Sequence, residues 1–448
     1  MSATPPDAPQ VTARPRTPGE FLSDAGRGSV PDLTEAEWLD LTSHAKARAA
    51  RFDSEIANRL AANDLRGAKH KSRKMLTCRA VCLHALIREN AKARSVNRLT
   101  PRELLALLPS VSVFARRASP TLRWMRKREG GLRPIVKFGL VDGACAALIA
   151  MVLRPFARAH PQRACHPAQV MLAGGPPVAC ERLRVALEQA PAEAVFVQID
   201  VRRFFQSIAC SELARMTGLP PEVIHRHLSM EHLKVHRWKS PPDYRGMERS
   251  SSEYVASAPS GAECESGSPS GLATGSAASS FVAEIVMGHI LRAAGDLQGL
   301  IALIAYSDNI GAVVQSREAA LVLKEAILRA LRRSEAGPFE AGRVTMNAIT
   351  DGFDFLGYHW RVLNGSVVAV PERRRHHYWT MRFGTDLLQM GFSAQPTSAA
   401  QPHTRLRAYA NSKWLWGGRE AFVADWEQRI AEMIPDGSSD PTEVMAPA

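Results

Sequence analysis

Residues 195–199, VFVQI, read as a continuous apolar run that stops at an aspartate, Asp200, and a second aspartate, Asp308, stands between two further β-prone runs. An apolar run of that length suits a strand buried within a sheet, with its last residue delivering a carboxylate at the sheet's end. Further along, the chain reads as a helix over residues 279–297 and as strands over 300–306 and 311–315, joined at Ser307, Asp308, Asn309 and Ile310. An amphipathic helix over 317–333 and strands within 344–363 complete the series. Strand, helix, hairpin, helix, strand fits a split βαβ sheet of ferredoxin-like type, an α+β fold class. Many functions share such a sheet, so it predicts none by itself.

This order brings Asp200 and Asp308 to one point, where two carboxylates can hold a pair of magnesium ions. Two-metal nucleotidyl transfer needs hard oxygen ligands a few ångströms apart, so that one ion activates a 3′-hydroxyl while the other steadies the leaving pyrophosphate. The charge balance agrees with a phosphate-rich partner: 57 Lys and Arg against 44 Asp and Glu leave +13, with a pI near 9.7. Charge alone does not separate nucleic acid from an acidic membrane surface. At 448 residues the chain exceeds one ordinary core and suggests two or three subdomains.

The opening MSATPPDAPQVTARPRTPG lacks the apolar core of a signal peptide, and residues 1–33 read as a disordered leader. The longest apolar run, residues 141–153, carries Asp142 and stops at Arg154, short of the roughly 20 residues that span a bilayer. Seven cysteines without paired spacing fit reduced thiols. A cytoplasmic protein with no membrane partner is the expectation. Cys78, Cys82 and His84 lie close together, but no second ligand pair follows, and thiols buried on a helix explain them better than zinc.

Residues 34–110 read as helical, with Lys69, Lys71, Arg73, Lys74 and Arg79 along one stretch. Such a row is either a solvated face or a surface that tracks a phosphate backbone. LRWMRKREGGLRPIVKF then sets a Gly-Gly turn between two short β-prone runs, with its charge near the tip. It is either an ordinary exposed hairpin or one that folds over a triphosphate, Lys127 acting as a point charge and Arg133 as a bidentate fork. Residues 240–270 turn to Ser, Gly, Pro and Glu and read as a flexible insertion. From Glu372 onward, cations such as Arg373, Arg374, Arg375 and Lys413 interleave with rings such as Tyr378, Trp379 and Trp414. That mixture can track a backbone and stack on bases, although a plain helical subdomain would look much the same. Residues 435–448 read as a disordered tail.

Taken in order over residues 60–420, these segments resemble the motif series of bacterial reverse transcriptases, the branch that includes retron, group II intron and phage-defence enzymes. ANDLRGAKHKSRKMLTCRAVCLHALIREN is similar to the helical lead-in of the intron-type enzymes, and KREGGLRPI looks like their fingers motif. VQIDVRRFFQSI resembles the first palm motif, GLATGSAASS the family's GLPQGSPLSP, YSDN its YADD, and FDFLGYHW its primer-grip hairpin.

The resemblance implies a right-hand polymerase, with fingers over 111–194, a palm over 195–370 and a thumb over 371–434, behind the helical segment at 34–110. It makes Asp200 and Asp308 catalytic, and assigns Mg2+, or Mn2+ in its stead, to Asp200, the Val201 carbonyl, Asp308 and Asn309. Lys127, Arg133, Thr274 and Gly275 would hold the incoming dNTP, and Phe205 would be a steric gate whose ring collides with a 2′-hydroxyl. Phe355, Leu356 and Gly357 would form the primer grip. Arg373, Arg374, Arg375, Lys413 and Trp414 would bind nucleic acid.

The activity so implied is RNA-directed DNA synthesis, with an RNA template, a DNA primer and product, and dNTPs as partners. A dedicated non-coding RNA or a partner protein is a further candidate. No stretch past the thumb has room for a nuclease module, which by analogy points to a domesticated enzyme of antiviral defence. Three departures from the family pattern open alternatives. Thr274 stands where the family has Gln, and this altered loop motivates untemplated or protein-primed DNA synthesis. Asn309 stands where the family has a second Asp, keeping an oxygen but no charge. FEAGRVTM lacks the lysine offered as a proton donor to pyrophosphate, and Arg343 cannot release a proton near neutral pH. The last two motivate a nucleic-acid-binding subunit whose polymerase centre has decayed.

Overall fold

A computed structural model of the chain describes residues 16–27, 32–93, 95–115, 120–126, 132–160, 164–231, 236–237, 270–372, 423–424 and 426–428. Its first half runs through α1 (Pro18–Gly26), α2 (Glu35–Ala61), α3 (Leu65–Thr77), α4 (Arg79–Asn90), α5 (Pro101–Leu107), β1 (Thr121–Arg126), β2 (Leu132–Lys137), α6 (Leu140–Ala159) and α7 (Pro176–Glu188). Next come β3 (Val195–Val201), α8 (Phe204–Ser207), α9 (Leu213–Thr217), α10 (Pro221–His227) and β4 (His236–Arg237). The rest comprises α11 (Ala277–Ala294), β5 (Leu300–Tyr306), β6 (Asn309–Val314), α12 (Arg317–Arg333), β7 (Ala341–Ala348), β8 (Phe353–Phe355), β9 (Tyr358–Leu363) and β10 (Ser366–Pro371). The fold class is α+β.

The chain divides into two compact units that interleave along the sequence. Unit 1 takes Met1–His166, Arg203–Arg292 and Arg332–Phe339; unit 2 takes Pro167–Arg202, Ala293–Leu331 and Glu340–Ala448. The stretch expected to be one palm, residues 195–370, is therefore shared between them.

Unit 1 is built on α2, which starts at a capping box in which the Thr34 hydroxyl accepts from the Glu37 N–H and the Glu37 carboxylate accepts from the Thr34 N–H. That reciprocal pair satisfies donors the first helical turn leaves open. Leu41, Ala45, Ala49, Phe52, Ile56 and Leu60 follow at three-to-four spacing and are buried, forming the stripe that packs on α3, α4 and α6. The leader expected to be disordered over 1–33 contains a helix. Thr17 and Glu20 form a capping box for α1, whose Phe21, Leu22 and Ala25 are buried. A composition argument averages over such a local signal.

The apolar run at 141–153 belongs to a longer helix than expected. α6 has 20 residues and is, like α11, long and apolar enough to cross a membrane by length and composition. The apolar windows of both are largely buried inside the protein, 83% for α6 and 61% for α11, which suits core helices.

Unit 2 holds a four-stranded sheet in the order β5-β6-β3-β7 and a three-stranded sheet in the order β10-β9-β8. Every pairing in the first is antiparallel. The Phe196 ring lies face to face with Phe353, centroids 3.8 Å apart, and edge-on to Phe355 at 5.2 Å. With Trp360, Tyr358, Leu183 and Ile304 these rings make the core of the unit, each large side chain contributing roughly 1.5–3 kcal/mol by leaving water. One detail departs from the expectation of an unbroken apolar strand: Gln198 in β3 is half-buried, on the same face as Asp200.

Candidate active site

Register is what brings Asp200 beside Asp308. β3 and β6 are antiparallel, with Val195 opposite Val314 and, at the other end, Asp200 opposite Asn309. Opposed residues in such a pair lie roughly 5 Å apart. β5 and β6 are joined through Ser307 and Asp308, with Tyr306 opposite Asn309. The turn is thus tighter than the Ser307–Ile310 connection expected, because Asn309 opens β6. Ser307 sits at φ 57°, a left-handed conformation that costs a non-glycine residue about 1 kcal/mol. The Val201 N–H donates to the Asp308 carbonyl at 3.0 Å, tying the turn to the end of β3. Asp200, Asp308 and Asn309 are all half-exposed.

β7 completes this end of the sheet. Its pairing with β3 shifts between Ile199 and Val201, a bulge of the kind that re-aims side chains beside functional sites. A Cβ on Gly342 would come within 3.3 Å of Asp200 Oδ2, so the glycine gives the carboxylate its space. Arg202 and Glu340 pair at 3.7 Å, both well exposed, and contribute little to stability. Asn309 Oδ1 accepts a hydrogen bond from Gln198 Nε2 at 3.2 Å.

Asp200 and Asp308 carry hard anionic oxygens of the kind that magnesium takes. Among the described residues no point gathers three or more His, Cys, Asp or Glu side chains, so the donor set here is two carboxylates with an amide alongside. Sequence reasoning missed Gln198 and Gly342. Gln198 could have been found, since two residues before Asp200 in a strand means the same face. Gly342 carries no such signal until the bulge is known.

In unit 1 the loop at 270–276 gathers three of the residues expected to handle nucleotide. The Leu272 N–H donates to the Phe205 carbonyl at 2.7 Å, and Gly271, at φ 76°, comes so close that a Cβ would stand 2.3 Å from that same oxygen. The Thr274 carbonyl accepts from the Val136 N–H of β2 at 2.7 Å. Gly275, at φ 108°, would place a Cβ 2.5 Å from the Val136 carbonyl. Both glycines therefore serve close backbone approach. Of the phenylalanine pair, Phe204 is buried with its ring 5.1 Å from Phe339, whereas Phe205 is half-exposed.

The remaining expected residues fall out differently. Arg133 is described by its main chain alone, paired with Met125 across the β1–β2 hairpin. Lys127, Arg373, Arg374, Arg375, Lys413 and Trp414 lie outside the described residues, as do residues 240–269 of the insertion and the tail at 435–448. Phe355 points into the core, leaving Leu356 and Gly357 as the half-exposed turn of the β8–β9 hairpin.

The cations near α3 sort into two groups. Lys71 pairs with Glu55 at 2.6 Å, and Arg79 donates to the Leu22 carbonyl at 3.5 Å. Arg66, Lys69, Arg73 and Lys74 are exposed on one helix face with no ion pair among the described residues. Around Cys78, Cys82 and His84, burial pushes the Cys82 thiol up to about 12. Burial, helped by the nearby cations Arg88, Lys46 and Arg154, lowers the His84 pKa.

No family model matches this chain, and no curated protein matches it.

Proposed function

We propose that this chain is an RNA-directed DNA polymerase, a nucleotidyltransferase of reverse-transcriptase type with right-hand architecture. The observation that carries the reading is the β3–β6 register, which sets Asp200 opposite Asn309 and ties Val201 to Asp308. Carboxylates from two distant motifs thereby share one open end of an antiparallel sheet. Magnesium held by Asp200 and Asp308 would supply activation of a primer 3′-hydroxyl and charge compensation for leaving pyrophosphate. The chain's own residues orient that site: the Ser307 kink presents Asp308, and Gly342 clears space for Asp200. Phe205, half-exposed, offers a ring large enough to reject a 2′-hydroxyl. The exposed row on α3, Arg66, Lys69, Arg73 and Lys74, offers phosphate contacts whose affinity falls as salt rises. RNA template, DNA primer and dNTPs are the partners, the cytoplasm is the setting, and antiviral defence is the role that the motif resemblance suggests.

Purified protein given Mg2+ or Mn2+, labelled dNTPs and primed RNA should extend the primer. Asp200→Ala and Asp308→Ala should each abolish extension while circular dichroism stays unchanged. Extension that persists in either variant overturns the assignment. A second reading has its own support in the Gln198 contact to Asn309, because the amide oxygen is then engaged and the site offers cations two carboxylates without it. On that reading the protein binds RNA in a salt-sensitive way and incorporates nothing.

A further inference from the structure

Asn309 occupies the position where the motif resemblance implies a metal ligand, yet its amide oxygen is engaged elsewhere. Gln198 Nε2 donates to Asn309 Oδ1 at 3.2 Å. The register gives this contact a direction. Asp200 is opposite Asn309 and Gln198 is opposite Gly311, so Gln198 sits two residues deeper in the sheet than the carboxylate. Gln198 Nε2 therefore reaches the Asn309 oxygen from a residue that starts two positions further from the strand end bearing Asp200.

The cross-strand position opposite Gln198 is closed by aromatic rings. A Cβ on Gly311 would stand 2.7 Å from the Phe355 ring and 2.8 Å from the Phe196 ring, so aromatic carbon covers the residue opposite Gln198. A half-buried amide against such a wall needs a polar partner, and Asn309 Oδ1 is one. Gly311 itself brings no polar group across from Gln198, and the contact Gln198 makes is to Asn309.

We propose that Gln198 is a positioning residue that turns the Asn309 oxygen away from the cation, leaving Asp200 and Asp308 as the anionic ligands and presenting an N–H donor beside them in place of a third charge. This rests on the metal-site reading above. Its consequence is a site whose carboxylates are kept together by a neutral donor when no cation is bound, at the expense of cation affinity, which grows with the number of charged ligands.

The test is Mn2+ binding, read by electron paramagnetic resonance without nucleotide or nucleic acid, on the full chain. Asn309→Asp keeps an acceptor for Gln198 and adds a charge, and should tighten Mn2+ binding about tenfold or more. Gln198→Met removes the donor at similar volume, frees the amide to rotate and should tighten binding by a smaller factor. Asn309→Gln retains an amide but displaces it, and should not reproduce the effect of Asp. If Asn309→Asp binds no more tightly than the native chain, or Gln198→Met binds more weakly, the positioning role is wrong while the metal site stands. If Mn2+ binding to the native chain is absent, or is unaffected by Asp200→Ala, the metal-site reading has failed. Urea midpoints for each variant separate a change in affinity from loss of fold, and Gln198→Leu, which also removes the donor, replaces Gln198→Met should that variant fold poorly.

Discussion

Unit 2 contains three hairpins closed by two-residue turns, and two of them differ in what surrounds them: Ser307–Asp308 between β5 and β6 and Leu356–Gly357 between β8 and β9. Both use left-handed backbone, at φ 57° for Ser307 and at 51° and 82° for Leu356 and Gly357. Leu356–Gly357 has positive φ at both central residues, matching the twist of its strands, and glycine takes one of the two places. Its neighbours are the buried rings of Phe355 and Tyr358, and Trp360 Nε1–H donates to the Phe355 carbonyl at 3.1 Å. Ser307–Asp308 puts serine where glycine would be easier and continues into half-exposed Asp308 and Asn309. One turn is secured by the core around it. The other holds its left-handed residue, no more strained than Leu356, beside polar groups that gain little from burial.

The comparison breaks most readily at Phe355. Phe355→Ala should lower stability by about 3–5 kcal/mol, the usual range for emptying an aromatic core site, measured by urea denaturation. Asp308→Ala should change stability by less than about 1 kcal/mol yet reduce incorporation roughly a thousandfold, equivalent to about 4 kcal/mol of barrier. A loss of stability equal to that of Phe355→Ala would make the two turns alike.

Smaller changes sharpen the contrast. Gly357→Ala should cost about 1 kcal/mol, because the new Cβ meets a left-handed backbone, whereas Ser307→Gly should be neutral or stabilising by a few tenths of a kcal/mol. Opposite signs in the two thermal midpoints are the expected result.

The smallest effect is a pH dependence confined to unit 1. Burial lowers His84 and His166 below the ordinary 6.5, with nearby cations adding to the effect. The unfolded chain then binds more protons than the folded one, so this contribution is present above about pH 6.5 and is lost as pH falls through the lowered folded values. Hydrogen exchange should show α4 amides losing protection between pH 7 and 5 while β5 and β8 amides do not, and His84→Gln should flatten that slope.

Several elements were legible in the sequence because their signals are local. α12 spans the residues its periodicity predicts, Arg317–Arg333, and β5 likewise matches Leu300–Tyr306. Where a local signal was outweighed by composition, as at the Thr17 capping box of α1, the reading failed. Lys69, Lys71, Arg73 and Lys74 look equivalent as text. Only the packing of α2 against α3 turns Lys71 inward to Glu55, leaving Lys69, Arg73 and Lys74 exposed.

Residue order alone settled which side chains could carry chemistry at the sheet end: an aspartate closing an apolar strand, another near a hairpin tip, and an asparagine after it. Tertiary structure decided what they do together. The β3–β6 register set Asp200 against Asn309, the shift in β3–β7 pairing brought Gly342 close to Asp200, and the same register placed Gln198 where it reaches Asn309. The physical reason is that periodicity and capping act within a few residues, whereas register is chosen by the summed pairing and packing of strands far apart in the chain, which no local window contains.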